Sequence, residues 1–83
     1  MKSASNIIVV RAAWDSEACV WVATSDDVPG LITEAPTLEA LNAKLPDMIA
    51  ELIELNGTAF ALSEIPIHII AEQTARMVNP RIA

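Results

Sequence analysis

The residue types that could carry chemistry in this chain of 83 residues are few and widely separated. Asp26 and Asp27 form an adjacent acidic pair with Glu34 nearby, and carboxylates of this kind hold divalent metals or act as acid and base. Adjacent carboxylates in a turn point apart, however, and no histidine or third acid stands at ligand spacing. We therefore interpret this pair as solvated turn residues.

His68 and Cys19 are the single histidine and the single cysteine of the chain. His68 lies in an alternating apolar stretch, which is typical of a packed or partner-facing histidine rather than a catalytic base. Cys19 has no electropositive setting to activate its thiol, so we expect a small core residue that forms no internal disulfide. Gly30 and Gly57 are the two glycines, and their separation excludes a glycine-rich phosphate loop.

Trp14 and Trp21 are the remaining candidates, because a tryptophan can stack on a nucleobase. In an acidic protein, two tryptophans on a hairpin are more typical of packing. No spacing in the chain pairs a nucleophile with a base. We therefore predict a protein that is not an enzyme, with no catalytic, cofactor-binding or metal-binding residues and no cofactor.

The net charge of −6 is unevenly distributed, because residues 1–64 are acidic and residues 65–83 carry a net charge of +1. An acidic body repels phosphate backbones, so we expect a basic protein partner rather than direct nucleic acid binding. No apolar run approaches the roughly 20 residues that span a bilayer, and the first residues do not resemble a signal peptide. We expect a cytoplasmic protein that does not contact membranes.

Residues 1–83 are enough for one domain, and a chain this short buries only about 60% of the surface that it exposes when unfolded. Hydrophobic residues make up 53% of the chain but aromatic residues only 4%, which leaves more aliphatic side chains than one small core usually hides. The composition therefore predicts a homodimer.

Hydrophobic periodicity predicts strands over residues 7–14, 17–24, 31–35 and 65–72, with one helix between the last two. The predicted fold is α+β: an antiparallel sheet with one helix on one face, in the order β-β-β-α-β. We expect an ordered core over residues 7–72, with a possible extension of the last strand to residue 78.

Local signals define the helix and the turn before it. Pro29 and Gly30 match the two corners of a type II turn, and Thr37 is placed to act as helix N-cap. An apolar stripe at helical spacing predicts the core-facing side. Its members are Leu38, Leu41, Leu45, Met48, Leu52 and Leu55. Pro46 interrupts this pattern and predicts a kink or two abutting helices, while Asn56 and Gly57 end the helix.

The first two predicted strands are apolar on both faces, so the face away from the helix requires a partner. In the last strand, His68 and Ile70 alternate with the residues expected to face the helix. We predict an interface that includes His68, Ile70 and Trp21. The alternative is a small-ligand-binding or degenerate enzymatic domain, with a pocket between sheet and helix near His68 and Trp21.

Residues 20–41 carry a family resemblance. A strand is followed by Asp27-Val28-Pro29-Gly30, a third strand containing Thr33 and Glu34, and then Thr37-Leu38-Glu39-Ala40-Leu41 at the start of the helix. This order resembles the HicB-type antitoxin domain of bacteria and archaea. Residues 21–31, together with Lys44-Leu45-Pro46 and Glu51-Leu52, more narrowly resemble a small stand-alone bacterial branch of unknown function. The resemblance covers residues 7–72.

The resemblance implies a partial RNase H-like fold that lacks the catalytic carboxylates and is usually dimeric. It also implies an antitoxin-type role, in which the domain binds and masks a small basic toxin of the HicA kind. Many members add a C-terminal DNA-binding domain, but eleven residues after Glu72 are too few for one. We therefore do not expect operator binding.

Overall fold

Three strands, one helix and a fourth strand follow one another along the chain, in the predicted order. The computed structural model describes residues 7–60 and 63–82. The elements are β1 (Ile8–Asp15), β2 (Val20–Thr24), β3 (Ile32–Ala35), α1 (Leu38–Asn56) and β4 (Ile67–Glu72). This confirms the α+β class. Among the described residues, no helix combines the length and apolar character needed to cross a bilayer.

The four strands form one sheet in the order β3-β2-β1-β4. The pairs β1–β2 and β2–β3 are antiparallel as predicted, but β4 lies parallel to β1, so the sheet is mixed. The reason is the direction of the helix. After β3, α1 carries the chain back to the opposite end of the sheet, so the next strand runs in the direction of β3 and β1. It then pairs with the free edge of β1.

The connection between β1 and β2 is a tight turn organised by Asp15. The Oδ1 atom of Asp15 accepts hydrogen bonds from the backbone N–H groups of Glu17 (3.0 Å) and Ala18 (3.2 Å). Cys19 closes this turn with a positive φ of 57° and is exposed. The prediction that Cys19 packs in the core is therefore wrong, because β2 begins only at Val20.

The predicted type II turn at Pro29 and Gly30 is present. Gly30 has a φ of 88°, and the N–H of Leu31 donates to the carbonyl of Val28 over 3.1 Å. The side chain of Asn56, at the end of the helix, donates to the carbonyl of Pro29 over 3.0 Å. The turn is thus joined to the far end of α1, and buried Val28 and Leu31 fix it to the core.

Both predicted helix ends are confirmed. The Oγ1 atom of Thr37 accepts from the N–H of Ala40 at 3.0 Å, and Gly57 adopts the left-handed conformation with a φ of 66°. Pro46 does not divide the helix, which is one element from Leu38 to Asn56. Pro46 and Asn42, four residues earlier, are both exposed, so water can satisfy the carbonyl that the proline leaves without a donor.

The core lies between the helix and one face of the sheet. Its buried members are Ile8, Val10, Ala12, Ala23, Val28, Leu31, Ala35, Leu41, Leu45 and Ile49. On the helix, the buried residues Leu41, Leu45 and Ile49 are each four positions apart. This spacing turns the packed side of the helix toward Ile49. The predicted stripe is confirmed at Leu41 and Leu45, which are buried, and at Leu38, Met48 and Leu52, which are partly buried against the core. Leu55 is rotated into solvent and is 80% exposed. The prediction that Leu55 packs on the sheet is wrong.

Candidate functional site

Strand alternation divides the sheet into a face covered by the helix and a face without a cover among the described residues. In β1, the buried residues Ile8, Val10 and Ala12 lie under the helix, and Val9 and Arg11 point the other way. We call this second surface the open face. It consists of Val9, Arg11, Ala13, Val20, Val22, Thr24, Ile32, Glu34, His68, Ile70 and Glu72.

The strand register arranges the open face in rows across the sheet. One row is Glu72, Ala13, Val22 and Glu34, so it has a carboxylate at each edge. The next row is Ile70, Arg11, Thr24 and Ile32. Val22 and Ile70 are half-buried, whereas Ala13 is exposed and Ile32 on the edge strand is 69% exposed. The open face thus mixes apolar side chains with Arg11 and Thr24 on the central strands and a carboxylate at each edge.

The structure separates the three predicted interface residues. His68 and Ile70 both lie on the open face, in β4. Trp21 lies on the other face, opposite the buried residue Ala35, and packs against the core. Its ring meets that of Trp14 edge to face at a centroid distance of 5.4 Å. Trp21 therefore cannot share one surface with His68 and Ile70.

This separation also excludes the predicted pocket, because His68 and Trp21 point to opposite faces of the sheet. A cavity of about 160 Å³ does lie between the helix and β4. Its lining is entirely apolar: Ile8, Pro46, Ile49, Ala50, Ile53, Ile65 and Ile67. Ligand sites usually measure about 300–1,000 Å³ and include a few oriented polar groups. This cavity has neither property.

Asp27 has a structural role that the interpretation as a solvated turn residue missed. Its Oδ2 atom accepts from the N–H of Val9 at 2.9 Å, beyond the last paired residues of β1 and β2. The Ser25 hydroxyl donates to the carbonyl of Val9 over 2.5 Å and accepts from the N–H of Asp27 over 3.1 Å. The side chains of Asp27 and Ser25 thus pair with the backbone of β1 at Val9, where β2 has already ended. The sequence feature that could have indicated this role is a serine and an aspartate directly after a predicted strand, because both side chains readily bond to backbone groups.

Asp26 is exposed and forms part of a polar cleft at this end of the open face. The cleft has a volume of about 310 Å³ and is lined by Val9, Arg11, Thr24, Ser25, Asp26 and Asp27. Since Asp27 and Ser25 hold the strand backbone, their oxygen atoms are already engaged. The described residues contain no group of three histidine, cysteine or acidic side chains that could hold a metal ion.

The outer side of the helix carries a second candidate surface. Asp47, Glu51 and Glu54 follow at spacings of four and three, so they lie on one stripe, and all are exposed. We call these three residues the acidic helix stripe. Leu55, which the core does not use, lies beside it. A cleft of about 370 Å³ is lined by Ala50, Glu51, Glu54 and Leu55.

The lysine on the helix does not neutralise this stripe. The ammonium group of Lys44 donates to the backbone carbonyl of Glu34 in β3 over 2.8 Å. This bond directs its positive charge toward the sheet. The acidic helix stripe therefore presents carboxylates next to one exposed leucine, without a basic residue among its lining groups.

Comparison with known proteins gives a family but no activity. A family model described as a domain of unknown function (DUF1902) matches residues 7–79. No curated protein matches the chain. Among solved structures, it is similar to the crystal structure of a hypothetical protein, TTHA1013, from the extremely thermophilic bacterium Thermus thermophilus. The two are 55% identical with a TM-score of 0.65, over 88% of this chain and 99% of that one.

Proposed function

The chain belongs to the DUF1902 family of domains of unknown function, and we propose that it is a non-enzymatic, HicB-like interaction domain. Its partner is a small basic protein, of the kind that a HicA-like toxin represents. The resemblance of residues 20–41 to HicB-type antitoxin domains supports this role, as does the β-β-β-α-β order of the fold.

The observation that carries the proposal is the acidic helix stripe with Leu55 beside it. An exposed leucine in a cleft gives an apolar anchor point, and the flanking carboxylates select a partner with basic side chains. The side chain of Leu55 is 80% exposed, so it is accessible to such a partner.

The charge of the whole chain favours the same class of partner. All eleven acidic residues lie before Gln73. In the described part of the same region, the basic residues are Arg11, on the open face, and Lys44, which is bonded to β3. A surface potential of this sign attracts basic proteins over long range and repels the phosphates of nucleic acids.

The proposal is tested with purified bait proteins and the native cytosol. We expect the wild-type protein to retain a small basic protein, identified by mass spectrometry, whose affinity for the bait falls as the salt concentration rises. The variant Glu51→Lys/Glu54→Lys should bind the purified partner at least about tenfold more weakly, because charge reversal places like charges together.

The matched control is Glu17→Lys/Glu64→Lys, which changes the net charge by the same amount away from the helix. It should bind like the wild type. If both double variants lose affinity equally, only net charge matters and the acidic helix stripe is not the binding site. If the retained partner is acidic, or no partner is retained, the proposed function is wrong.

A further inference from the structure

Residues 73–82 leave the sheet at the end of β4, and we call them the C-terminal arm. The predicted extension of the strand to residue 78 is not present, because β4 ends at Glu72. Every residue of the arm is exposed, including three large apolar side chains. Met77 is 81% exposed, Val78 is 87% exposed and Ile82 is 70% exposed. Large apolar side chains that lie exposed in one short segment are unfavourable in water unless another surface covers them.

The arm is organised only at its tip. The Oδ1 atom of Asn79 accepts from the N–H of Arg81 over 2.9 Å, and its carbonyl accepts from the N–H of Ile82 over 3.3 Å. Pro80 occupies a corner of this turn, for which its fixed φ is well suited. Among the described residues, these two local bonds are the hydrogen bonds of the arm. Near the sheet, Gln73, Thr74 and Arg76 line a cleft together with Ala13, Trp14 and Ser16, whereas residues 77–82 do not line this cleft.

The dimensions of the chain exceed those of a compact domain of the same length. Its radius of gyration is 16.1 Å, whereas a compact chain of this length has a value of about 12 Å. Its accessible surface is 6312 Å², against about 4,800 Å² for a compact protein of this mass. The difference exceeds the roughly 800 Å² that a standard protein interface buries on each partner. The extra exposed surface is therefore sufficient for one such interface.

The arm and the open face have complementary properties. The arm carries Arg76 and Arg81, two of the five basic residues, and no acidic residue. The open face carries the apolar side chains of Val22, Ile32 and Ile70, with Glu34 and Glu72 at its edges and one basic residue, Arg11, on β1. The six residues before the turn, residues 73–78, span about 20 Å when extended, and the outer strands of a four-stranded sheet lie about 14 Å apart. One arm is therefore long enough to cross the open face of another molecule.

The family match includes most of the arm. It ends at residue 79, beyond the last strand, so the family domain comprises the body and the arm together. We propose that the C-terminal arm docks on the open face of a second copy of this chain, and that two copies exchange arms about a two-fold axis. Each copy supplies one arm and one open face, so a single symmetric contact covers both. The acidic helix stripe takes no part in it.

Sedimentation equilibrium of full-length variants tests the exchange. The wild type should be a dimer, and Met77→Asp/Val78→Asp should be a monomer with an unchanged circular dichroism spectrum, because the arm does not support the body. Leu55→Asp is the control, since it places a single aspartate at another exposed apolar position. It should remain a dimer.

A mixing experiment then identifies where the arm docks. Ile70→Lys damages the open face and leaves the arm intact, so this variant alone should also be a monomer. Ile32→Lys, at a more exposed position of the same face, serves if Ile70→Lys does not fold. Mixed with Met77→Asp/Val78→Asp, the face variant should form a heterodimer, because its intact arm meets an intact open face.

Three outcomes would overturn the inference. They are a monomeric wild type, an arm variant that remains dimeric, and two monomeric variants that do not associate when mixed. The first two exclude an arm-dependent dimer, and the third excludes docking of the arm on the open face. None of these results affects the capture experiment on the acidic helix stripe, so the two proposals can fail separately.

Discussion

At Val9, in the central strand of the sheet, the backbone N–H and carbonyl both bond to side chains where the neighbouring strand has ended. Asp27 accepts from the N–H, and Ser25 donates to the carbonyl. A backbone N–H in a half-buried position that loses its acceptor typically destabilises a protein by about 1–3 kcal/mol. Asp27 thus has a structural role in holding the backbone of β1.

Asp27→Ala should lower the free energy of unfolding by about 1–3 kcal/mol, as measured by urea denaturation. Asp26→Ala, next in the sequence but exposed, should change it by less than about 0.5 kcal/mol. Asp27→Asn should have a smaller effect than Asp27→Ala, because the amide oxygen can still accept. Equal effects of the two alanine variants would contradict this role.

Gly30 and Gly57 both have positive φ, but their surroundings differ. Gly30 lies between the buried residues Val28 and Leu31, so strain there cannot relax without moving the core. Gly57 lies at an exposed helix end that can fray. Gly30→Val should therefore lower the midpoint of thermal unfolding more than Gly57→Val. A larger loss at Gly57 would show that the turn is not the more constrained position.

At the scale of the helix, Leu45 and Leu55 separate the packed side from the exposed one. Leu45→Ala should destabilise the protein by about 2–5 kcal/mol, the usual effect of truncating a buried leucine. Leu55→Ala should have an effect below about 0.5 kcal/mol, because its side chain is 80% exposed. Chemical denaturation of both variants makes the comparison. A small effect at Leu45 would show that the packed side is misassigned.

The elements that could be predicted from the sequence are those defined by neighbours along the chain. Thr37, Gly30 and Gly57 act through bonds and dihedral angles within a few residues, and all three have the predicted roles. The position of β4 could not be predicted in the same way. Nothing local to residues 67–72 states that they pair with β1, more than fifty residues earlier.

The candidate surfaces were predictable only in part, for a similar reason. Alternation within β4 places His68 and Ile70 on one side, as predicted, because it requires only the strand itself. The side on which Trp21 lies depends on which residues of β1 and β3 it faces. Leu55 matches the helical period, yet it lies outside the packed side of the helix. The reason is that the buried residues Leu41, Leu45 and Ile49 are four positions apart, so the packed side turns away from Leu55.

At the scale of the whole molecule, we predict that the purified protein does not cleave RNA or DNA in the presence of magnesium or manganese. Two-metal phosphoryl chemistry requires a cluster of carboxylates. The described residues contain no such cluster, and Asp27 is engaged by the backbone of β1. A gel-based nuclease assay measures this. Metal-dependent cleavage that is abolished by Asp26→Asn or Asp27→Asn would contradict the prediction of a non-enzymatic protein.

The parallel pairing of β1 with β4 has a consequence for synthesis on the ribosome. β1 is synthesised before the other strands, but β4, its partner on one edge, is synthesised only after the helix. Contacts between segments so far apart in sequence form late in folding. Until Glu72 has left the ribosome, that edge of β1 stays unpaired, and unpaired edges favour aggregation. The complete sheet can therefore form only after β4 has been synthesised, and slowing the ribosome before β4 should prolong the vulnerable state.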